Sequence, residues 1–192
     1  MRQLGSLTPT GKIMTRYPTT LIALHWLTAV AVITAYVTSG DPSKVKNSLD
    51  FILGQTHVLS GITVFALLAL RLPLRALMGA PAAEPAPRWQ LRIAQITHFA
   101  LYALMLIVPL AGWAALADKT TAFKLVGAFQ LPLLNAHITG VKLLGEAHQT
   151  LGNIFIWLAG LHAMAGLVHH YVMHDSTLVR MAPLSIFKRG IR

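Results

Sequence analysis

The sequence predicts an all-α membrane protein, a single bundle of four transmembrane helices over residues 1–192. Hydrophobic residues make up 55% of the chain and charged residues only 11%, and the mean hydropathy is +0.59. A typical soluble domain carries about 25% charged residues. Four apolar stretches are long enough to cross a bilayer core, which takes about 20 helical residues. They lie near residues 19–37, 53–72, 93–116 and 148–173. Backbone polar groups in lipid must bond within their own segment, so we expect each stretch to be a helix.

The first apolar stretch follows Arg2, Lys12 and Arg16, as the core of a signal peptide would. It is too long for such a core and contains His25, so we interpret it as a retained helix. The segment from Pro73 to Trp89 is rich in Pro and Ala and predicts a linker. Residues 118–145 hold only short apolar pieces, and we expect an irregular or interfacial segment there.

The net charge is +10, and the distribution of the positive residues along the chain indicates its orientation in the membrane. Every arginine falls on one side of the four-span arrangement, namely Arg2, Arg16, Arg71, Arg75, Arg88, Arg92, Arg180, Arg189 and Arg192. The opposite loops carry only lysines, namely Lys44, Lys46, Lys119, Lys124 and Lys142. The positive-inside rule then places both termini in the cytoplasm. This distribution argues against a nucleic-acid partner and for contacts with lipid headgroups.

The chain contains no cysteine. Disulfides, thiolate-held iron–sulfur clusters and a C-x-x-C-H site for covalent haem attachment are therefore excluded. Any cofactor must be held without protein sulfur, apart from that of methionine.

The nine histidines are the most informative feature, because ionisable groups inside a membrane are costly and tend to be functional. His148 and His162 are fourteen residues apart, which is about 21 Å of helix and about 40° short of four turns. Both rings therefore leave the same face, and by depth His57 matches His148 whereas His25 matches His162. Two such pairs suit two haem b groups with axial imidazoles from different helices.

Several alternatives stay open at this point. One haem or a bare metal ion, a histidine proton path, and a structural set of histidines all fit the spacing. His98 lies at the same depth as His25, so depth alone does not choose between these two ligands. Small residues recur where helices or a flat ligand would approach closely, namely Gly61, Gly112, Gly152, Gly160 and Gly166.

Several sequence blocks resemble the bacterial cytochrome b561 family, whose members are small quinone-linked dihaem membrane proteins and include superoxide oxidases. The resemblance runs from about Tyr17 to Pro183 and rests on LHWL, THVLSGIT, THFALYALMLIVPLAGW, HQTLGN and GLHAMAGLVHHYVMHDSTLVRMAP. It implies axial ligand pairs His25 with His162 and His57 with His148, which leaves out His98. It also implies a quinone site near the cytoplasmic haem. His137 and the loop around it depart from the family pattern.

We therefore expect a protein of the bacterial inner membrane that passes electrons from periplasmic superoxide, through two haem b groups, to ubiquinone. The outer lysines are candidates for attracting the superoxide anion. Arg16, Arg71 and Arg75 are candidate contacts of haem propionates or of the quinone, and His169 is a candidate quinone contact. One alternative is a haem b anchor subunit that links a periplasmic dehydrogenase or hydrogenase to quinone. Another is a transporter or proton channel with a histidine relay.

Overall fold

The structure, a computed structural model, describes residues 15–40, 42–126, 129–133 and 139–183. Four long helices account for most of them, and one short helix and a two-stranded hairpin complete the fold. In chain order the elements are α1 (Thr19–Val37), α2 (Ser48–Met78), α3 (Arg88–Lys119), β1 (Phe123–Leu125), β2 (Phe129–Leu131), α4 (Thr139–Tyr171) and α5 (Thr177–Met181). All four long helices have the length and apolar composition of membrane spans. The predicted four-helix membrane fold is confirmed.

Three of the helices extend beyond their predicted spans. The predicted linker at Pro73–Trp89 is wrong at both ends, because α2 continues through Pro73 to Met78 and α3 already begins at Arg88. A proline removes one N–H and strains one turn, which a helix embedded among other helices tolerates. Helix α2 ends where Gly79 adopts a positive φ of 75° that an L side chain would resist.

The segment predicted to be irregular, residues 118–145, contains a β-hairpin and the start of α4. Strands β1 and β2 are antiparallel, with Lys124 opposite Gln130. An isolated hairpin is marginal in water, and here the buried side chain of Gln55 supports it. The Gln55 amide donates to the Lys124 carbonyl at 3.0 Å and accepts from the Val126 N–H at 2.8 Å. Gln55 thus bonds to the hairpin as a neighbouring strand would.

Helix packing divides the bundle into two tight pairs. Helix α1 packs on α2, α3 packs on α4, and α2 and α3 join the two pairs. By contrast, α1 touches α4 at only a few points. We call the space between α4 on one side and α1 and α2 on the other the seam. The end of the bundle with Arg16, Arg71 and Arg75 is called the arginine end, and the opposite end, with Lys44 and Lys124, the lysine end.

Large apolar side chains cover much of the outside of the bundle. Leu27 is 56% exposed, Leu161 64% and Phe99 75%. Such a surface would aggregate in water, and it is the surface that a lipid-embedded bundle presents. The small apolar core lies at mid-depth, where Ala31, Val64, Leu68, Met105 and Phe155 form one cluster.

Gly145 allows the close contact between α3 and α4. A Cβ at this position would lie 2.9 Å from the backbone N and Cα of Ala115, and backbone cannot move aside as a flexible side chain can. We expect Gly145→Ala to lower the free energy of unfolding by about 1–3 kcal/mol, measured by thermal or detergent denaturation, since overpacking of this kind forces backbone shifts. Gly140→Ala is the matched control, because a Cβ there meets nothing within 4 Å. Equal stabilities of the two variants would contradict this view of the α3–α4 interface.

Candidate functional site

Two pairs of histidine rings face each other across the seam. At the lysine end, the ring centroids of His57 on α2 and His148 on α4 are 5.9 Å apart, with the ring planes at 80°. At the arginine end, those of His25 on α1 and His162 on α4 are 6.3 Å apart, with the planes at 86°. The structure therefore brings together the residues that were matched by depth in the sequence.

A seven-residue spacing sets the depth of these groups. A helix turns about 20° short of two full turns in seven residues, so residues at this spacing stay near one face. Three helices carry the spacing: His57, Val64 and Arg71 on α2; His98, Met105 and Gly112 on α3; and His148, Phe155, His162 and His169 on α4. Each end of the seam thus has a polar layer, and the apolar core cluster separates the two layers.

The lysine-end pair has both rings oriented by backbone carbonyls. Nδ1 of His57 donates to the Ala35 carbonyl at 2.8 Å, and Nδ1 of His148 donates to the Val108 carbonyl at 3.1 Å. A carbonyl only accepts, so the proton lies on Nδ1 and the Nε2 lone pair of each ring is available to a metal ion. Gly112 makes room for His148, because a Cβ at Gly112 would lie 2.8 Å from the Cε1 atom of that ring.

The arginine-end pair has a buried cation beside it. Arg71 is only 7% exposed, and its Nη1 donates to Nδ1 of His25 at 3.2 Å. Its guanidinium carbon lies 5.8 Å from the centroid of the Tyr102 ring. In the described part of the chain no carboxylate pairs with Arg71. A buried charge without a counter-ion is costly, so this position favours an anionic ligand group.

His98 is the third histidine at the arginine end. Its ring centroid lies 5.2 Å from that of His162, closer than the centroid of His25 does. The ring distances therefore do not decide whether His25 or His98 is the ligand that pairs with His162, and neither does the depth of the two residues. Across the described ranges, no three His, Asp or Glu side chains form a group able to hold a metal ion by themselves. The site offers pairs of imidazoles, as a cofactor with its own equatorial ligands requires.

Open space adjoins both histidines of the lysine-end pair. Gly61 and Gly152 each follow a histidine of that pair by four residues, about one helical turn. A Cβ at either glycine would meet nothing within 4 Å. Two imidazoles on opposite sides of one metal ion, each bonded at about 2 Å, would have centroids about 6 Å apart. The ring distances, the free Nε2 atoms and the glycine-lined space therefore fit axial ligation of a flat macrocycle.

The other predicted contact residues lie around the arginine end. Arg16 donates through Nη2 to the Ala182 carbonyl at 2.7 Å, and the guanidinium of Arg75 lies 5.9 Å from the Tyr17 ring centroid. His169 bonds through Nδ1 to Oδ2 of Asp175 at 2.5 Å. All three groups therefore lie at the arginine end of the bundle, each bonded or packed against another part of the protein. His137 lies outside the described residues.

Asp175 is held in its ionised form. Burial alone would raise the pKa of the carboxyl, but hydrogen bonds from His169 and Thr177, together with the charge of His169, lower the pKa below its ordinary value. The backbone N–H of Thr177 donates to Oδ1 at 2.9 Å, so both carboxylate oxygens are bonded. Asp175 thereby joins the end of α4 to the start of α5.

Several long-range contacts of the bundle are not predicted by the sequence. Arg180 forms a salt bridge with Glu84 at 2.8 Å, and the indole N–H of Trp26 donates to the Met181 carbonyl at 2.9 Å. The indole N–H of Trp113 donates to the Pro132 carbonyl at 2.7 Å. These partners are far apart in sequence, and no local spacing signals such bonds.

Comparisons with known proteins point in one direction. The sequence model of the family described as prokaryotic cytochrome b561 matches residues 16–183. Cytochrome b561 homolog 1 of Escherichia coli K12 is 33% identical over 173 residues, which cover 88% of this chain and 98% of that protein. The probable superoxide oxidase CybB of Yersinia pestis is 28% identical over 176 residues, 91% of this chain and 98% of that protein. Cytochrome b561 homolog 2 of Escherichia coli K12 is 24% identical over 184 residues, 92% of this chain and 96% of that protein.

The lowered pKa of Asp175 predicts a pH-dependent contribution to stability. A carboxyl whose pKa is lower in the folded protein stabilises fully above its unfolded pKa, about 3.9, and loses this effect as the pH falls through the folded pKa. We expect Asp175→Asn to melt at a lower temperature than the parent protein at pH 7, with the difference shrinking below about pH 4. Asp118→Asn is the control, because Asp118 is exposed at the other end of the bundle. A difference that persists unchanged at low pH would show that Asp175 does not act through its charge.

Proposed function

Because this chain belongs to the prokaryotic cytochrome b561 family of membrane haem b electron-transfer proteins, we propose that it binds two haem b groups and acts as a superoxide:ubiquinone oxidoreductase. The proposal rests mainly on the two histidine pairs across the seam. The rings of each pair are separated by a distance that suits axial ligation of one iron. The probable superoxide oxidase of Yersinia pestis, matched over nearly its full length, supports the choice of donor.

The ligand assignment follows the two cross-seam pairs. His57 and His148 would hold the lysine-end haem, and His25 and His162 the arginine-end haem. When bound, each haem supplies a centre that takes up and releases one electron, chemistry that protein side chains of this set do not offer. The chain contributes the axial nitrogens, the carbonyls that orient the rings, and an apolar layer between the two centres.

Arg71 is the residue best suited to a haem propionate. If Nε2 of His25 held iron, its Nδ1 would keep a proton and could no longer accept a hydrogen bond from Arg71. Its guanidinium would be released to a carboxylate, and an Arg–carboxylate pair is among the stronger charge-assisted hydrogen bonds. The absence of a carboxylate partner for Arg71 among the described residues supports this role. Arg16 and Arg75 remain candidates for a propionate or for the quinone.

The orientation that we propose places the arginine end in the cytoplasm and the lysine end in the periplasm, in a bacterial inner membrane. The positive-inside rule supports this orientation, because every arginine among the described residues lies at the arginine end. Both chain termini then lie in the cytoplasm. Superoxide would meet the lysine-end site, and ubiquinone would meet the arginine-end site.

The proposed reaction balances with two electrons per quinone. Two superoxide anions each lose one electron and leave as O₂, and ubiquinone takes up both electrons and two cytoplasmic protons to become ubiquinol. His169, bonded to Asp175 and partly exposed, is the candidate group for contacting the quinone or passing a proton to it. Neither oxidation nor reduction requires a nucleophile from the protein.

Ligand variants test the haem assignment directly. We expect two haem b groups per chain in the purified protein and one in each of His25→Ala, His57→Ala, His148→Ala and His162→Ala. His98→Ala is the matched control, since His98 lies beside His162 but would not bind iron, and we expect it to keep two. Haem extraction and a reduced-minus-oxidised spectrum give the count.

The same preparation separates the alternative functions. A colourless protein would favour a histidine relay in a transporter or channel. A dihaem protein that superoxide does not reduce would favour an anchor subunit for a dehydrogenase or hydrogenase. Loss of a haem from His98→Ala, with full occupancy in His25→Ala, would reassign the arginine-end ligand.

Electrostatic attraction of superoxide predicts a dependence on the lysine-end charges. We expect replacement of Lys44, Lys46, Lys119, Lys124 and Lys142 by Gln to slow haem reduction several-fold and to flatten its dependence on ionic strength, because screening acts only on charge. Stopped-flow reduction of the haems by superoxide measures both effects. Arg88→Gln with Arg92→Gln is the control, because it removes exposed positive charge at the other end. An unchanged rate and salt dependence in the lysine variant would exclude steering by these residues.

A further inference from the structure

The arginine-end pair spans a weak interface of the bundle. His25 lies on α1 and His162 on α4, yet these two helices touch directly at only a few points. Helix α1 packs mainly on α2, which contributes no histidine to this pair. Something other than direct α1–α4 packing must therefore fix the distance between the two rings.

Three hydrogen bonds connect α1 and the residues before it to residues 180–182. Arg16 donates to the Ala182 carbonyl at 2.7 Å, and the backbone N–H of Tyr17 donates to the Arg180 carbonyl at 3.3 Å. The Trp26 indole donates to the Met181 carbonyl at 2.9 Å. Successive carbonyls of one short segment therefore receive all three bonds.

That segment is itself fixed to the rest of the arginine end. Helix α5 packs against α4, and Asp175 joins the two through His169. The Arg180 side chain forms a salt bridge with Glu84 at 2.8 Å, donates from Nε to the Ser176 hydroxyl at 2.7 Å, and donates to the Ala82 carbonyl. The α2–α3 connection and α4 thus hold α5 in place, and α5 in turn holds α1.

We propose that residues 175–182, the α5 brace, set the separation of α1 and α4, and that Trp26 is a positioning residue for His25. Trp26 follows His25 directly, and the two ring centroids are 5.8 Å apart in an edge-to-face arrangement. The bond from Trp26 to Met181 therefore restrains the helix position next to the proposed iron ligand. This inference rests on the proposed function only where it concerns the haem.

The alternative role for Trp26 is that of an anchor at the membrane interface. Tryptophan is common at membrane interfaces, where the ring anchors a helix among headgroups, and Trp26 is 40% exposed. An anchor of that kind would affect helix insertion and stability but would not act on one histidine pair. The two roles differ in which site responds when only the indole N–H is lost.

Trp26→Phe tests the brace, and Trp113→Phe is its matched control. Each change keeps an aromatic ring and removes one indole N–H bond to a backbone carbonyl, at opposite ends of the bundle. In the dihaem protein we expect Trp26→Phe to shift the midpoint potential and the ferric EPR signal of the arginine-end haem alone, because that signal depends on the angle between the two imidazole planes. Trp113→Phe should leave that haem unchanged. Equal effects of Trp26→Phe on both haems, or none on either, would overturn the proposal.

A second readout does not depend on haem. The chain has no cysteine, so Leu27→Cys and Leu161→Cys, both exposed positions on α1 and α4, accept spin labels without background. We expect the label-to-label distance distribution to broaden in Trp26→Phe and in Glu84→Gln, which weakens the Arg180 salt bridge without touching α1. The distribution should stay narrow in Trp113→Phe. An unchanged distribution in both brace variants would show that α5 does not hold α1.

The two readouts separate the brace from the proposed function. If the protein bound no haem, the proposed function would fail, and the spin-label distances would still support or overturn the brace. If haem bound as proposed but the distances did not change, the brace alone would fail.

Discussion

The free-energy cost of placing polar groups inside a bilayer determines how the histidines and Arg71 are arranged in this structure. An imidazole or guanidinium in the hydrocarbon region is tolerated only when its nitrogens have partners. Both rings of the lysine-end pair bond to backbone carbonyls on neighbouring helices, and Arg71 at the arginine end contacts, among the described residues, His25 and the Tyr102 ring. The carbonyls bond only Nδ1 of each lysine-end ring and leave Nε2 free for a metal ion, whereas Arg71 carries a positive charge that an anionic group would neutralise. The two ends therefore differ in the kind of ligand group that each favours.

The division of the bundle into two tight pairs has a related cause. Small residues let helices approach closely, and Gly145 places α4 against the backbone of α3. Across the seam the glycines have the opposite effect, because nothing fills the space beside Gly61 or Gly152. The same residue type thus closes one interface and leaves another open, depending on what stands opposite. Space for a large flat ligand arises from this contrast.

Much of the fold and of the candidate site could be predicted from the sequence, because the signals were periodic. The length of the four apolar stretches predicted the four spans. The fourteen-residue spacing from His148 to His162 predicted two histidines at different depths on one face of a single helix. The continuation of α2 through Pro73 could not be predicted, because a proline ends a helix in water more readily than inside a bundle. The Gln55 bonds to the hairpin and the contacts of Arg180 depend on partners remote in sequence, and composition does not encode them.

The bonds that hold α1 to the α5 brace have a consequence for the assembly of the protein. Arg16 bonds to a residue 166 positions away, and Trp26 to one 155 positions away. Contacts of such separation form late, since the intervening chain must first be ordered. During synthesis α1 enters the membrane well before residues 180–182 exist, and until they arrive it is held chiefly by α2. A released chain truncated after residue 179 would therefore keep its four long helices, while its first helix would lack all three bonds to residues 180–182.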